Sequence, residues 1–197
     1  MKHFPFDFLS VIALILILAF YLYWAISAGG VKKDVPGKGS RIGWLFSRLG
    51  LILVLVVLYE SLVLSPFRDF SNRLSFFHNE ALRIAGVVLT ALGLAFAVWA
   101  RRHLGRNWSA RPTIKVGHEL VTSGPYRVVR HPIYTGLLMA WFGFGLVNGL
   151  VSMGVFLVFA LMFIWRIRVE EVYMMELFPD QYPGYCASTK ALIPAVW

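Results

Sequence analysis

The run from Phe8 to Ile26, FLSVIALILILAFYLYWAI, contains no charged residue. A segment of this kind is long enough to cross the roughly 30 Å hydrocarbon core of a bilayer, which takes about 20 mostly apolar residues. Similar runs occupy Leu49–Leu64 (begun near Gly43), Ile84–Ala100, Tyr134–Val147 and Val151–Ile167. Inside lipid every backbone N–H and C=O must be satisfied within the protein, so such runs are helices. The expected fold class is therefore all-α: an integral membrane protein with five transmembrane helices, a polar loop region and a C-terminal helix. Composition agrees, with 58% hydrophobic and 15% charged residues and a mean hydropathy of +0.68. Soluble domains hold about 45–50% apolar and about 25% charged residues.

The first run has one competing reading. Lys2 before it and Ala25, Ser27 and Ala28 after it give it some of the look of a signal peptide. Its apolar stretch exceeds the usual signal core of roughly 7–15 residues, and Tyr21, Tyr23 and Trp24 make an interfacial aromatic end, so an anchor is expected. Asn148 and Gly149 leave room only for a tight turn between the last two runs, which makes them an antiparallel helical hairpin. Gly143, Gly145 and Gly149 include one GxxxG spacing, whose plain meaning is close helix packing.

Five spans put the termini on opposite sides. The segments Ser27–Ile42 and Arg101–Ile133 and the tail from Arg166 carry fourteen Lys/Arg, against four at the N-terminus and in Ser65–Arg83. The bias places the large loop and the C-terminus in the cytoplasm. Basic residues scattered between apolar runs suit membrane lipids and anionic ligands, and no nucleic-acid partner is expected. No internal repeat is visible, Gly29–Ser40 reads as the linker, and nothing fixes an oligomeric state.

Several chemistries lack their motifs. There is no Walker loop, HExxH, CxxC or GxSxG. The histidines, His3, His78, His103, His118 and His131, lack metal-ligand spacing, so no metal is expected. Cys186 is the one cysteine; it reads as a small apolar residue, with palmitoylation or a reactive thiol as alternatives. The C-terminal residues form no prenylation box, so the chain is not expected to be a prenylated substrate itself.

Two polar clusters could carry chemistry. The turn-rich segment Gly117–Gly136, GHELVTSGPYRVVRHPIYTG, gathers Arg130, His131 and Tyr134 beside an apolar run. Pro132 suits the first position of a helix, where its missing N–H costs nothing. The cluster is either a basic interfacial cap or a ligand seat, with N–H groups at the helix start available to an anion. The second cluster, Trp165-Arg166-Ile167-Arg168-Val169-Glu170-Glu171, lies where the last run ends. Arg166 and Glu170 share a helix face at i, i+4. Either the arginines snorkel while the glutamates solvate the helix end, or Arg166 grips an anionic acceptor and Glu170 a cationic cofactor group. Glu60, a carboxylate inside a span, is a further candidate.

The order Asn107-Trp108-Ser109, Gly117-His118-Glu119-Leu120-Val121, Gly124-Pro125-Tyr126, Arg130-His131-Pro132-Ile133-Tyr134, Arg166, Glu170-Glu171, Phe178 and Tyr182 resembles the isoprenylcysteine carboxyl methyltransferases and their prokaryotic relatives. The resemblance covers Arg101–Trp197; the earlier spans match only in being apolar. It implies an N-terminal three-span region, 1–100, and a methyltransferase core, 101–197, with S-adenosylmethionine as cofactor. The implied cofactor contacts are His118, Glu119, Leu120, Val121, Tyr126, His131, Pro132, Ile133, Tyr134 and Glu170. Arg166 matches the arginine beside the acceptor, and Arg166 and Glu170 are the implied catalytic pair. A further glutamine contact of the family would fall near Arg111 and is not carried over.

The implied acceptor is lipophilic or lipid-linked, best matched by the carboxylate of a prenylated cysteine. That acceptor is already anionic at neutral pH, so holding it in line with the donor suffices. Phospholipid amines and small thiols are the alternative acceptors. Sterol reductases have a similar arginine-histidine-proline motif and use NADPH, but the short chain and the Arg166/Glu170 pairing speak against that reading. A non-catalytic membrane scaffold is the remaining class.

Overall fold

The computed structural model describes residues 8–27, 34–39, 79–108, 113–115 and 119–194. The expected span Leu49–Leu64, with Glu60, lies outside the described residues, as do Ser109, Arg111 and His118. The described helices are α1 (Phe8–Ser27), α2 (Glu80–Leu104), α3 (Pro132–Asn148), α4 (Leu150–Leu177) and the short α5 (Tyr182–Ser188), with 3-10 turns at Gly105–Asn107 and Gly124–Arg127. Three helical stretches, Phe8–Ser27, Glu80–Asn107 and Leu150–Leu177, are long and apolar enough to cross a membrane. The 17-residue α3 is shorter and is the inner helix, packed on α2 and α4.

Local signals set the helix ends. Asn79 caps α2, its side chain accepting from Leu82 N at 3.2 Å. Gly105, with φ of 55°, ends α2 by donating to Arg101 O. Gly149, with φ of 94°, closes α3 and opens α4 at once, giving the expected hairpin. α4 runs ten residues past the expected Ile167, to Leu177, because the polar stretch after Arg166 stays helical. Asp34–Gly39 and Thr113–Lys115 pair as a two-stranded antiparallel ribbon, β1 and β2, an addition to the all-α expectation. Proline and glycines are poor strand formers, so sequence gave no sign of it.

α2 and α3 approach until their backbones touch. A Cβ built on Gly93 would lie 2.5 Å from Gly136 O, and one on Gly143 would lie 2.5 Å from Gly86 O. Thr90, fully buried between them, donates its hydroxyl to Gly86 O at 2.9 Å and lies 3.2 Å from Ala140 O across the interface. Lipid offers no hydrophobic drive to join helices, so close packing through small residues does so instead. The expected GxxxG plays a lesser part: Gly145 meets Met153 in the hairpin.

Two arginines of α2 fasten α1 alongside, the two helices running in the same direction. Arg83 Nη2 donates to Ser10 Oγ at 3.4 Å, and its Nε to Val147 O at the end of α3 at 3.2 Å. Arg101, only 6% exposed, donates to Ser27 O at 2.6 Å and Gly105 O at 3.1 Å and lies 4.2 Å over the Trp108 ring. Its charge thus meets the negative ends of both α1 and α2, which compensates its burial. The opposite face of α1 exposes Phe8, Val11, Ile15, Leu18, Leu22 and Ile26, a stripe that suits hydrocarbon surroundings rather than water.

The Gly93 contact is with backbone, which no rotamer change can relieve. Gly93→Leu is expected to cost at least the roughly 1–3 kcal/mol of an overpacked core, read as a fall in thermal unfolding temperature in detergent. Gly154 in α4 has no atom near its missing Cβ. Gly154→Ala should leave that temperature unchanged or raise it, by up to about 1 kcal/mol of helix propensity.

Candidate active site

The two polar clusters meet where α3 begins and α4 leaves the apolar core. His131 stands at the N-cap of α3, with Pro132 at its first position. Tyr134 follows three residues later, so its ring lies parallel to that of His131, 5.8 Å away at 12°. Helical side chains lean toward the N-terminus, which carries the Tyr134 hydroxyl to Glu170 Oε1 at 2.6 Å. The same oxygen accepts from Arg166 Nε at 2.9 Å, the expected i, i+4 pair. Arg166 is buried and its guanidinium lies 5.7 Å over the Tyr134 ring. Arg168, by contrast, is exposed, in keeping with a snorkelling residue.

Glu171 faces the same histidine. Its Oε1 accepts from Arg130 Nε at 2.9 Å, Arg130 Nη2 at 2.7 Å and His131 Nε2 at 3.2 Å. His131 Nδ1 in turn lies 3.8 Å from Glu170 Oε2. One imidazole therefore stands between two carboxylates, each held by its own arginine. The idea that both glutamates merely solvate the helix end does not describe this arrangement.

The segment after α5 closes the other side. Arg130 Nη1 donates to the carbonyls of Cys186, at 3.3 Å, and Thr189. The backbone N–H groups of Arg130 and His131 donate to Lys190 O and Ala191 O, at 2.8 and 3.0 Å, and Thr135 Oγ1 to Leu192 O at 2.8 Å. The N–H groups of Arg130 and His131, just ahead of the first turn of α3, are thus occupied by the chain itself. Burial of Arg130 opposes its charge, but the hydrogen bond and charge of Glu171 outweigh it and push the guanidinium further up. Burial also pushes the Cys186 thiol up, and Arg130 only partly offsets this; a thiol raised in this way is a poor nucleophile at neutral pH.

The remaining expected residues sort by burial. Tyr126 is buried with Ala100, Trp108 and Ile133, and its carbonyl accepts from Tyr185. The turn carrying it is braced by His103, which pairs with Ser123 Oγ at 2.8 Å. Pro132 and Ile133 are packed in the protein, Leu120 and Val121 are half-buried, and Glu119 is exposed. The structure thus brings together His131, Tyr134, Arg166 and Glu170 through direct contacts. Sequence reasoning missed Arg130 and Glu171 as a pair; they are 41 residues apart, and no local spacing joins them. An apolar groove of about 400 Å³, lined by Leu92, Phe96, Val128, Val129, Thr135 and Met139 among others, opens on a different face of α3. Among the described residues no His/Cys/Asp/Glu group is placed to hold a metal ion.

Known proteins are similar to this chain in sequence and in fold. The family described as phospholipid methyltransferase matches residues 82–181. The protein-S-isoprenylcysteine O-methyltransferase of Saccharomyces cerevisiae is 30% identical over 73% of this chain and 60% of its own. The cobalt-zinc-cadmium resistance protein CzcN of Cupriavidus metallidurans is 33% identical over 55% of this chain and 49% of its own. The chain thus spans about half to three-fifths of the length of these relatives. A solved structure of the eukaryotic intramembrane Ras methyltransferase (isoprenylcysteine carboxyl methyltransferase) superposes with a TM-score of 0.55 at 25% identity, over 70% of this chain and 56% of that one. With its matched segment running through the end of α3, the hairpin and the Arg166–Glu171 cluster, the chain belongs to the phospholipid methyltransferase family and shares the fold of the isoprenylcysteine carboxyl methyltransferases.

Proposed function

We propose that the chain is an integral membrane methyltransferase that uses S-adenosylmethionine and acts on a lipophilic acceptor, the carboxylate of a prenylated cysteine. The observation that carries this is the Arg166–Glu170–Tyr134–His131 cluster, which sets a buried cation beside two acceptors on one side of α3. Its cytoplasmic orientation, with the C-terminus on the same side, follows from the lysine and arginine bias. Residues 1–100 serve as a membrane region and 101–197 as the core.

The donor set fits the cofactor. Glu170 Oε2 and His131 Nδ1, 3.8 Å apart, suit an amino group, and the buried ring of Tyr126 and the Glu119–Val121 segment would complete the seat. When bound, the sulfonium cofactor supplies an electrophilic methyl that a carboxylate takes without losing a proton. The protein's task is then positioning and exclusion of water. Glu170 holds Arg166 through Nε at 2.9 Å, which fixes the plane of the guanidinium that would orient an acceptor carboxylate. Tyr134 fixes Glu170 from the other side and stacks on Phe163 at 4.8 Å, which keeps this corner apolar.

A phospholipid amine is the second reading, favoured by the description of the matching family. An amine must also lose a proton, so the product distinguishes the two. Membranes carrying the chain, given methyl-labelled S-adenosylmethionine and a small S-prenylated cysteine, are expected to form base-labile label. Label that resists base, recovered in phospholipid, would replace the carboxylate reading with the amine reading. No label above that of membranes lacking the chain sinks both.

Removing one partner of a buried, hydrogen-bonded charge pair costs roughly 2–5 kcal/mol. Arg166→Ala and Glu170→Ala are therefore expected to cut turnover at least about thirtyfold. Tyr134→Phe, which deletes one hydrogen bond to a charged group, should cost about tenfold to a hundredfold. Initial rates at saturating cofactor and acceptor check all three.

A further inference from the structure

Glu171 lies outside the cofactor and acceptor residues that the family resemblance implies, yet it touches the imidazole of His131. Its Oε1 already accepts two N–H bonds from Arg130, so it is an ionised acceptor, and the 3.2 Å contact must be made by His131 Nε2–H. Arg130 is itself anchored on the carbonyls of Cys186 and Thr189, so Glu171 is held in place. An imidazole with its proton on Nε2 presents a lone pair at Nδ1. That lone pair faces Glu170 Oε2 across 3.8 Å, too far for a direct hydrogen bond. Two acceptors at that separation can both reach one nitrogen between them at an ordinary hydrogen-bond length, about 2.8–3.0 Å. The ring cannot turn away, because it stacks on Tyr134 and its backbone N–H is bonded to Ala191 O.

We propose that Glu171 is a positioning residue: by accepting the Nε2–H hydrogen bond of His131 it holds the neutral ring in the tautomer whose Nδ1 is an acceptor, and Nδ1 with Glu170 forms a two-acceptor seat for the amino group of the cofactor. Outer partners of this kind commonly fix the tautomer of a working histidine. Among the described residues the groups facing the ring are Glu170, Glu171, Arg130 and Tyr134, and of these Glu171 contacts Nε2. This inference rests on the cofactor reading above.

The test compares two ligands on the full chain in detergent by calorimetry: S-adenosylhomocysteine and its analogue lacking the α-amino group. The wild type is expected to prefer the amino ligand by about tenfold or more. Glu171→Ala should lose most of that preference while binding the deaminated analogue as before. Glu171→Gln should keep it, since the Arg130 N–H groups select the amide oxygen, which still accepts from Nε2. A Glu171→Ala protein that weakens both ligands by one factor, or keeps the full preference, overturns the inference and leaves the cofactor reading standing. Wild type that fails to bind S-adenosylhomocysteine overturns the cofactor reading, and this inference with it. If Glu171→Ala does not fold, the ¹⁵N resonances of His131 in the wild type decide: an Nε2-protonated ring is expected, and an Nδ1-protonated ring overturns the proposal.

Discussion

The site depends on four missing side chains. Gly86 and Gly93 on α2 and Gly136 and Gly143 on α3 let two antiparallel helices touch through their backbones. Equal spacing on both helices fixes the axial register as well as the distance, because a slip of one turn would push side chains into the contact. Thr90 adds a buried hydroxyl at the centre of that seam. With α3 fixed against α2, and α4 tied to α3 by the turn at Gly149, the height of Tyr134 opposite Glu170 is no longer adjustable.

Onto this frame the protein places four charged side chains that are well removed from solvent. The pairs Arg166–Glu170 and Arg130–Glu171 are not best understood as sources of stability, since desolvation offsets much of their attraction. Their effect is geometric. Each arginine fixes one carboxylate, and the two carboxylates bracket His131. Below them a run of rings, His131, Tyr134, Phe163, Phe159 and Trp141, passes through parallel and tilted contacts into the core. Polar positioning at the top thus rests on close-packed aromatic rings.

Much of this was legible in sequence wherever the signal was local. The charge-free run of α1, the Asn148–Gly149 turn, Pro132 at the start of α3 and the Arg166–Glu170 spacing each carry a physical rule that works within a few residues. The α2–α3 seam was not legible, because glycines within apolar runs are common and nothing marks which of them face each other. The β1–β2 ribbon was not legible because β1 holds a proline and two glycines, and β2, though it contains Thr113 and Ile114, is only three residues long. The Arg130–Glu171 pair and the carbonyls of Thr189 to Leu192 were invisible for a different reason. One joins distant positions, and the others are backbone groups that any residue could supply.

Those carbonyls bear on how the molecule matures. Lys190, Ala191 and Leu192 bond to residues at the start of α3, yet they follow every described helix in chain order. A ribosome delivers residues in that order, and segments fold as they emerge. The segment that braces Arg130 and His131 is separated from them by the whole of α4 and α5, so α3 is delivered well before its brace. The start of α3 thus gains its last backbone partners only when residues 190–192 fold back upon it, after the chain has passed through α4 and α5.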